Sequence, residues 1–368
     1  MVLMDKKLVY MTYQSFPAQT ANSIQTMTHI KYFSKLGYDV SLIFPIRNKE
    51  SDANLNKLQK YYEFTNPFKP IGTIHPLPFK KIQFLEKFMY IVSHFLWSYF
   101  TVRKYAKLHR GCYFFTRSEW IFYFLSKQKE KVIYECHQLS KIKKILIQSS
   151  IKAENSKIIF VSPFIIKDLG LNEDSKVTVL ASAFDEEVFT NSNVEPKTER
   201  IIYAGSVSRF GKSRGLDSLI NGLSNLNISE FQLVIASNDD LSAELINLIN
   251  NKNLNIEYHQ NLSRSDLAEL YNSCTLGLLI NNKSEHAERF TSPLKYFEYI
   301  ASGLKVVASD SKSHRLLPYQ ECINYFDSSK SSSFIDAVNI AINSEQPTYD
   351  AIQQYSMSQR ALKILNLY

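Results

Sequence analysis

The sequence predicts an α/β protein made of two doubly wound domains in tandem. Three observations predict it. Short apolar runs alternate with amphipathic stretches from end to end, which is the pattern of βαβ units and parallel sheets. The chain has 368 residues, a length that suits two ordinary domains better than one. Charge is also unevenly divided: residues 1–175 carry a net +13 and residues 176–368 a net −5. The formal total of +8 thus averages two regions that face different chemistry. Hydrophobic residues make up 45% and charged residues 21%, a globular balance that excludes wholesale disorder.

Taken in order, residues 8–12 read as the first strand. A helix follows over 22–36, with Ile24, Met27, Ile30 and Phe33 at helical spacing. Gly37 stops it, and 40–44 is the next strand. Residues 113–115, 132–134 and 158–161 are further strands of the first series. The longest apolar stretch, FMYIVSHFLWSYFTV at 88–102, falls short of the roughly 20 residues a spanning helix needs, and it contains His94. It reads as a helix that is buried or lies on a membrane surface. The second series runs through strands at 200–204, 231–236, 256–258, 276–280 and 305–308. Helices are expected at 216–226, 240–250, 264–273 and 293–302 between them, and a helical tail at 349–367. The polar, Pro-containing NSNVEPKT at 191–198 is the linker candidate.

The four cysteines, Cys112, Cys136, Cys274 and Cys322, form no C-x-x-C pair, which argues against a zinc knuckle or a thioredoxin-type site. Free thiols suit a reducing cytoplasm. The opening MVLMDKKLVYMTYQ has no apolar h-region, so no signal peptide is expected.

Two segments carry the chemistry. In TSPLKYFEYIASGLKVVASD at 291–310, Ser292 suits an N-cap and Pro293 the first helical position. Leu294, Phe297, Ile300 and Ala301 give one apolar face, and Gly303 can end the helix. Free N–H groups and the helix dipole make such an N-terminus an anion site. The bland alternative is a capped helix with a surface Lys295–Glu298 pair. The loop GSVSRFGKSRG at 205–215 follows a strand and concentrates Arg209, Lys212 and Arg214, which suits a diphosphate. It is neither a Walker loop nor G-x-G-x-x-G; a solvated basic loop is the alternative.

These segments resemble the C-terminal domain of glycosyltransferase family 4, the retaining sugar transferases of GT-B fold. SPLKYFEYIASG resembles that family's donor-site helix, and YAGSVSRFGKSRGLDSLI its G-(x)n-[KR]-G loop. SFPAQTANSIQTMTHIKYFSKLGYDVSLIFP is similar to the N-terminal part of members acting in surface-polysaccharide assembly. The resemblance implies two Rossmann-like domains facing a cleft: 1–190 for the acceptor, 199–347 for the nucleotide sugar, and a C-terminal helix, 348–368, crossing back to the first. It implies that Glu298, the second Glu of E-x7-E, meets the donor ribose. Ser292, Pro293 and Leu294 would place backbone amides at the donor phosphates, with Gly205, Ser206 and Lys295 nearby. Arg209, Lys212 or Arg214 would neutralise the departing diphosphate. Phe290 stands where the family has the first Glu, and it cannot hold a sugar hydroxyl. Glu288, or backbone amides near Thr291, are the substitutes on offer.

In the first half, VIYECH places His137 just past a strand, where the family often has a His near the transferred sugar. Glu135 and Arg117 also lie at strand ends, where doubly wound sheets place ligands. Gln14, Ser15, Thr20, Asn22 and Ser23 would line the loop facing the crevice on the acceptor side.

The reading is a hexosyltransferase-type enzyme that needs no metal or cofactor and uses a UDP- or GDP-type sugar as co-substrate. Its acceptor would be a glycan or a polyprenyl-diphosphate-linked sugar. A nucleotide-sugar 2-epimerase of the same fold, or a non-catalytic sugar-nucleotide-binding subunit, are the competitors. Lys80, Lys81, Arg103, Lys104, Lys107, Arg110, Lys141, Lys143 and Lys144 flank aromatic segments, which suits a peripheral contact with an anionic membrane. No nucleic-acid motif is present. The expected place is the cytoplasm, at the inner face of the membrane if that contact forms.

Overall fold

In a computed structural model, the described residues are 6–47, 49–75, 86–191, 199–209, 212–213, 216, 220, 231–251, 255–281 and 285–368. The chain divides into two compact units, Met1–Leu180 with Ala361–Tyr368, and Ala181–Arg360. Residues 192–198, most of the linker candidate, lie outside the described residues.

The first unit is a seven-stranded sheet, all of its pairs parallel. The strands are β1 (Lys7–Met11), β2 (Asp39–Ile46), β3 (Lys69–Ile74), β4 (Tyr113–Thr116), β5 (Lys131–Cys136), β6 (Ser156–Phe160) and β7 (Val177–Val179). Their spatial order is β3-β2-β1-β4-β5-β6-β7. The winding reverses between β1 and β4, and the crevice beyond the carboxyl ends of those strands is where such sheets bind ligands. Helices α1 (Ala21–Lys35), α2 (Leu55–Tyr62), α3 (Glu86–Leu108), α4 (Glu119–Lys127), α5 (Lys141–Ser150) and α6 (Pro163–Leu169) connect them. Side-chain caps start α1 at Thr20, α4 at Ser118 and α5 at Ser140. The central strands are buried along nearly their whole length, which explains why they read as continuous apolar runs.

The second unit repeats the plan with β8 (Glu199–Ala204), β11 (Phe231–Ala236), β12 (Ile256–His259), β13 (Leu276–Leu279), β14 (Lys305–Ser309) and β15 (Ile323–Phe326). These form a parallel sheet in the order β12-β11-β8-β13-β14-β15, reversing between β8 and β13. Residues read as part of a loop after β8 instead form a small antiparallel hairpin, β9 (Ser208–Arg209) with β10 (Lys212–Ser213). Among the described residues, the helices of this unit are α7 (Ala243–Asn251), α8 (Arg264–Asn272), α9 (Glu285–Arg289), α10 (Leu294–Ala301), α11 (Ser331–Asn343) and α12 (Tyr349–Ile352), while the last helix, α13 (Met357–Leu365), begins in this unit and ends in the first. Of the helix expected at 216–226, only Leu216 and Ile220 are described, both buried.

The tail is not one helix. A 3-10 turn, Gln353–Tyr355, separates α12 from α13. The cause is tertiary: Phe184 pairs with Ser356 and its carbonyl accepts from Met357 N, while Glu186 accepts from the backbone of Met357 and Ser358. From Ala361 on, the tail belongs to the first unit, where Tyr368 donates to the Val132 carbonyl at 3.0 Å and its ring lies 5.4 Å from Tyr113. All four cysteines are buried free thiols.

Candidate functional site

In the second unit, helix α10 is held against the strand-order reversal. β13 pairs with β8 only at Leu276–Ile201 and Gly277–Ile202, after which the two strands part. The Tyr299 hydroxyl sits in that gap, accepting from Ala204 N at 3.1 Å and donating to the Leu278 carbonyl at 3.5 Å. Its ring lies so close to β13 that a Cβ on Gly277 would come 2.5 Å from it, so glycine is required there. From Tyr296 to Ala301 the helix is buried on every side, beyond the single apolar face that the sequence suggested.

The helix start differs from expectation. Pro293 is the N-cap, and no side chain caps the helix. Ser292 is already engaged: its Oγ accepts from Ser182 N and its carbonyl from Ser182 Oγ, each at 2.8 Å. Pro293 has no N–H, so the amide donors expected from it reduce to those of its neighbours. Lys295 and Glu298 are not a surface pair either, because Glu298 is buried. Burial pushes its carboxyl above the usual range. The Arg264 guanidinium, a hydrogen bond from the Tyr271 hydroxyl (3.3 Å) and Lys295 oppose this, while Asp185 adds to it. Arg264 also lies 3.6 Å from Asp185 and over the Phe189 ring. Arg264, Tyr271 and Asp185 are partners that motif reading missed, since they lie far from Glu298 in sequence.

Gly205 ends β8 with φ +127°, a conformation L side chains rarely adopt, and a Cβ there would fall on Lys295 Nζ. The same ammonium lies 4.9 Å from the Tyr203 ring centroid. Gly205 and Lys295, named separately from the sequence, are therefore neighbours at the carboxyl end of β8. The Tyr203 hydroxyl donates to the Ser206 carbonyl at 2.6 Å and fixes the turn. Arg209 and Lys212 are opposed in the hairpin register, and Arg214 lies outside the described residues. Phe290 is buried with the Arg289 guanidinium over its ring. The hydroxyl of Thr291 is turned to the Ala287 carbonyl (3.0 Å) and Ser313 Oγ (3.1 Å), and the Glu288 carbonyl accepts from Ser313 N at 2.8 Å.

In the first unit, three groups converge on one carboxylate. Glu135, at the end of β5, is fully buried. His137 Nε2 lies 2.5 Å and Arg117 Nε 3.5 Å from Glu135 Oε1, while His29 Nε2, on α1, lies 3.4 Å from Oε2. Arg117 Nη1 donates to the Asn22 carbonyl at 3.4 Å, tying β4 to the start of α1. The amide of Gln14 donates to Thr20 Oγ1 at 2.7 Å and to Ser23 Oγ. Gln14 Oε1 and Ser15 Oγ are buried with no hydrogen-bond partner among the described residues. Of the acceptor-side residues, all but Ser15 thus fall into two bonded groups, Gln14 with Thr20 and Ser23, and Arg117 with Asn22 and Glu135. His29 was not foreseen, because it reads as one more polar position in an amphipathic helix.

Beside this cluster, Tyr13 stacks on His94 (4.2 Å between centroids) with the Arg47 guanidinium over its other face at 3.7 Å. Its hydroxyl is 2.8 Å from His75 Nε2. Burial, with lesser contributions from Arg47 and Lys143, pushes the His94 pKa down to about 3, so this ring is neutral.

The second unit is the part with a family likeness. Residues 185–357 match the family model described as glycosyl transferases group 1. Among solved structures, the chain is similar to a sucrose-phosphate synthase from Thermosynechococcus elongatus, with 13% identity, a TM-score of 0.71, and 99% of this chain and 98% of that one covered. It is similar to the apo form of the lipopolysaccharide outer core galactosyltransferase WaaB, at 13% identity and a TM-score of 0.64, covering 97% and 98%. A putative UDP-N-acetylglucosamine 2-epimerase from Listeria monocytogenes gives 8% identity and a TM-score of 0.59, covering 98% and 95%. At such identities the likeness establishes the fold, two Rossmann-like units of GT-B type. No curated protein matches the chain.

Proposed function

We propose that the protein is a retaining glycosyltransferase of family 4 that moves a hexosyl group from a nucleotide-diphosphate sugar to a glycan or lipid-linked acceptor in cell-surface polysaccharide synthesis. The observation that carries this reading is a coincidence of place. The segment matching group 1 glycosyl transferases is the unit in which Gly205, Lys295 and the uncapped start of α10 meet beside buried Glu298.

In this reading Glu298 accepts from the ribose hydroxyls. The amides at the start of α10, Lys295 and the hairpin cations take up the charge that develops on the diphosphate. The bond from the anomeric carbon to the diphosphate oxygen breaks, and the acceptor oxygen bonds to the same face of that carbon. The acceptor proton passes to a phosphate oxygen of the leaving diphosphate, which leaves as the nucleotide. Cationic side chains do the work of a metal ion. On the acceptor side, His137, held by Glu135, lies beside the transferred sugar, and Arg117 and Gln14 orient the acceptor.

A transfer assay with labelled UDP- and GDP-sugars across several acceptors tests the reading. Label moving to acceptor with retained anomeric configuration supports it, and neither transfer nor nucleotide binding sinks it. The epimerase reading rests on the shared fold alone. NMR of a nucleotide sugar incubated without acceptor separates the two, since only an epimerase changes it into a second sugar. Phe290 favours the binding-subunit reading, which calorimetry would support by showing UDP or GDP binding with no turnover.

A further inference from the structure

We propose that the outer face formed by α3, α4 and α5 docks on an anionic phospholipid bilayer and so brings a membrane-held acceptor to the Glu135 cluster. The inference deepens the transferase reading and rests on it for the acceptor.

The face begins with α3. One side of this helix is buried through His94, Trp97, Ser98 and Val102. The other leaves Phe88 63%, Phe100 58% and Leu108 66% exposed. Scattered apolar residues on a surface are ordinary, but contiguous ones are not. Phe100 belongs to a contiguous patch: its ring lies 5.3 Å from Tyr99, Tyr99 lies 5.5 Å from Phe124 on α4, and Phe95 lies 4.9 Å from Trp120 and 5.5 Å from Phe124. On α5, Ile142 and Ile145 are exposed at 44% and 66%.

Charge decides what covers this face. The acidic residues of the three helices are Glu86 and Glu119 alone, against eight Lys and Arg. Glu119 is engaged by Lys143 at 3.7 Å. Arg103, Lys104, Lys141 and Lys144 are exposed. Exposed aromatic and aliphatic side chains ringed by cations complement an anionic lipid headgroup layer, with the apolar groups entering the acyl boundary. No helix among the described residues is long and apolar enough to cross a membrane, so the contact is lateral.

The place of the face gives the contact its use. α4 and α5 begin just after Arg117 and His137, at the carboxyl ends of β4 and β5. α3 reaches the same edge through the stack of His94 on Tyr13. A lipid-anchored acceptor emerging from the bilayer at this face meets the Glu135 cluster without leaving the surface.

The test is co-sedimentation of the full chain with vesicles of phosphatidylcholine alone or with about a third phosphatidylglycerol. The expected results are at least about tenfold tighter binding to the anionic vesicles, weakened by salt. Phe100→Ser with Ile145→Ser, and separately Lys104→Gln with Lys144→Gln, should each weaken that binding about tenfold or more. These positions are exposed, and near-ultraviolet circular dichroism would verify the fold. The control pair is Lys129→Gln with Lys152→Gln. It lines a cavity of about 720 Å³ at the carboxyl ends of α4 and α5, beside the amino ends of β5 and β6 and so at the other end of these strands from the Glu135 cluster, and should bind as the unaltered chain does. Equal binding to both vesicles, or a loss in the control pair as large as in the face pairs, overturns the proposal. Calorimetry with UDP and GDP and transfer to a water-soluble acceptor are read in parallel. Those failing while vesicle binding persists counts against the transferase reading, not the face.

Discussion

Glu298 and His94 are both buried titratable groups, and their burial acts in opposite directions on stability. The Glu298 carboxyl is raised, so the fold favours its protonated form. Its contribution is full below the unfolded value of 4.5 and is lost as pH rises through the folded value. His94 is lowered to about 3, so its contribution is full above 6.5 and is lost as pH falls toward 3. Glu298→Gln keeps an acceptor for the Tyr271 hydroxyl and removes the titration. The stability advantage of the unaltered chain over this variant should therefore shrink from pH 4.5 to pH 7.5, measured as a difference in Tm. A difference that is constant or grows over that range would show that the carboxylate is stabilised in place. The resemblance of its helix to a donor-site helix marked Glu298, yet the sequence could not reveal the burial. That depends on Arg264 and Tyr271, near the two ends of α8, and on Asp185, all distant from Glu298 in sequence.

At the scale of elements, the strands were legible where both faces are buried. Strand β11 coincides with the expected 231–236, and β1, β2 and β13 lie within two residues of their expected bounds. Strand β3, KPIGTI, escaped because it is an edge strand with a Pro, a Gly and no buried position, so no hydrophobic period exists to be read. Strands β7 and β15, of three and four residues, are too short to show one. The join of α10 to the sheet was invisible for another reason: Tyr299 looks like any helical aromatic until β8 and β13 part around it. Tyr299→Phe keeps the ring over Gly277 and deletes only the hydroxyl. It leaves Ala204 N–H and the Leu278 carbonyl buried without that partner, a cost of about 1–3 kcal/mol. Urea unfolding should show a lower midpoint with an unchanged m-value, whereas a loss below about 0.5 kcal/mol would mean that the two strands close on each other without the hydroxyl.

For the whole molecule, the uneven charge already separated a basic first half from an acidic second half, and the two sheets give that division a physical form. Each sheet has its own order reversal, and each reversal collects its own polar cluster: Glu135 with His29, His137 and Arg117 in the first, Glu298 with Tyr271, Lys295 and Gly205 in the second. If the clusters serve different ligands, substitutions in them separate two measurements. Glu298→Gln should weaken UDP or GDP binding about tenfold, the worth of one buried hydrogen bond. Glu135→Gln should leave that affinity unchanged within about twofold and lower transfer by about 100-fold, because His137 and Arg117 lose the carboxylate that orients them. Calorimetry reads the first quantity and the transfer assay the second. A tenfold loss of nucleotide affinity in Glu135→Gln would mean that the first cluster also holds the donor, and the assignment of one ligand to each sheet would have to be given up.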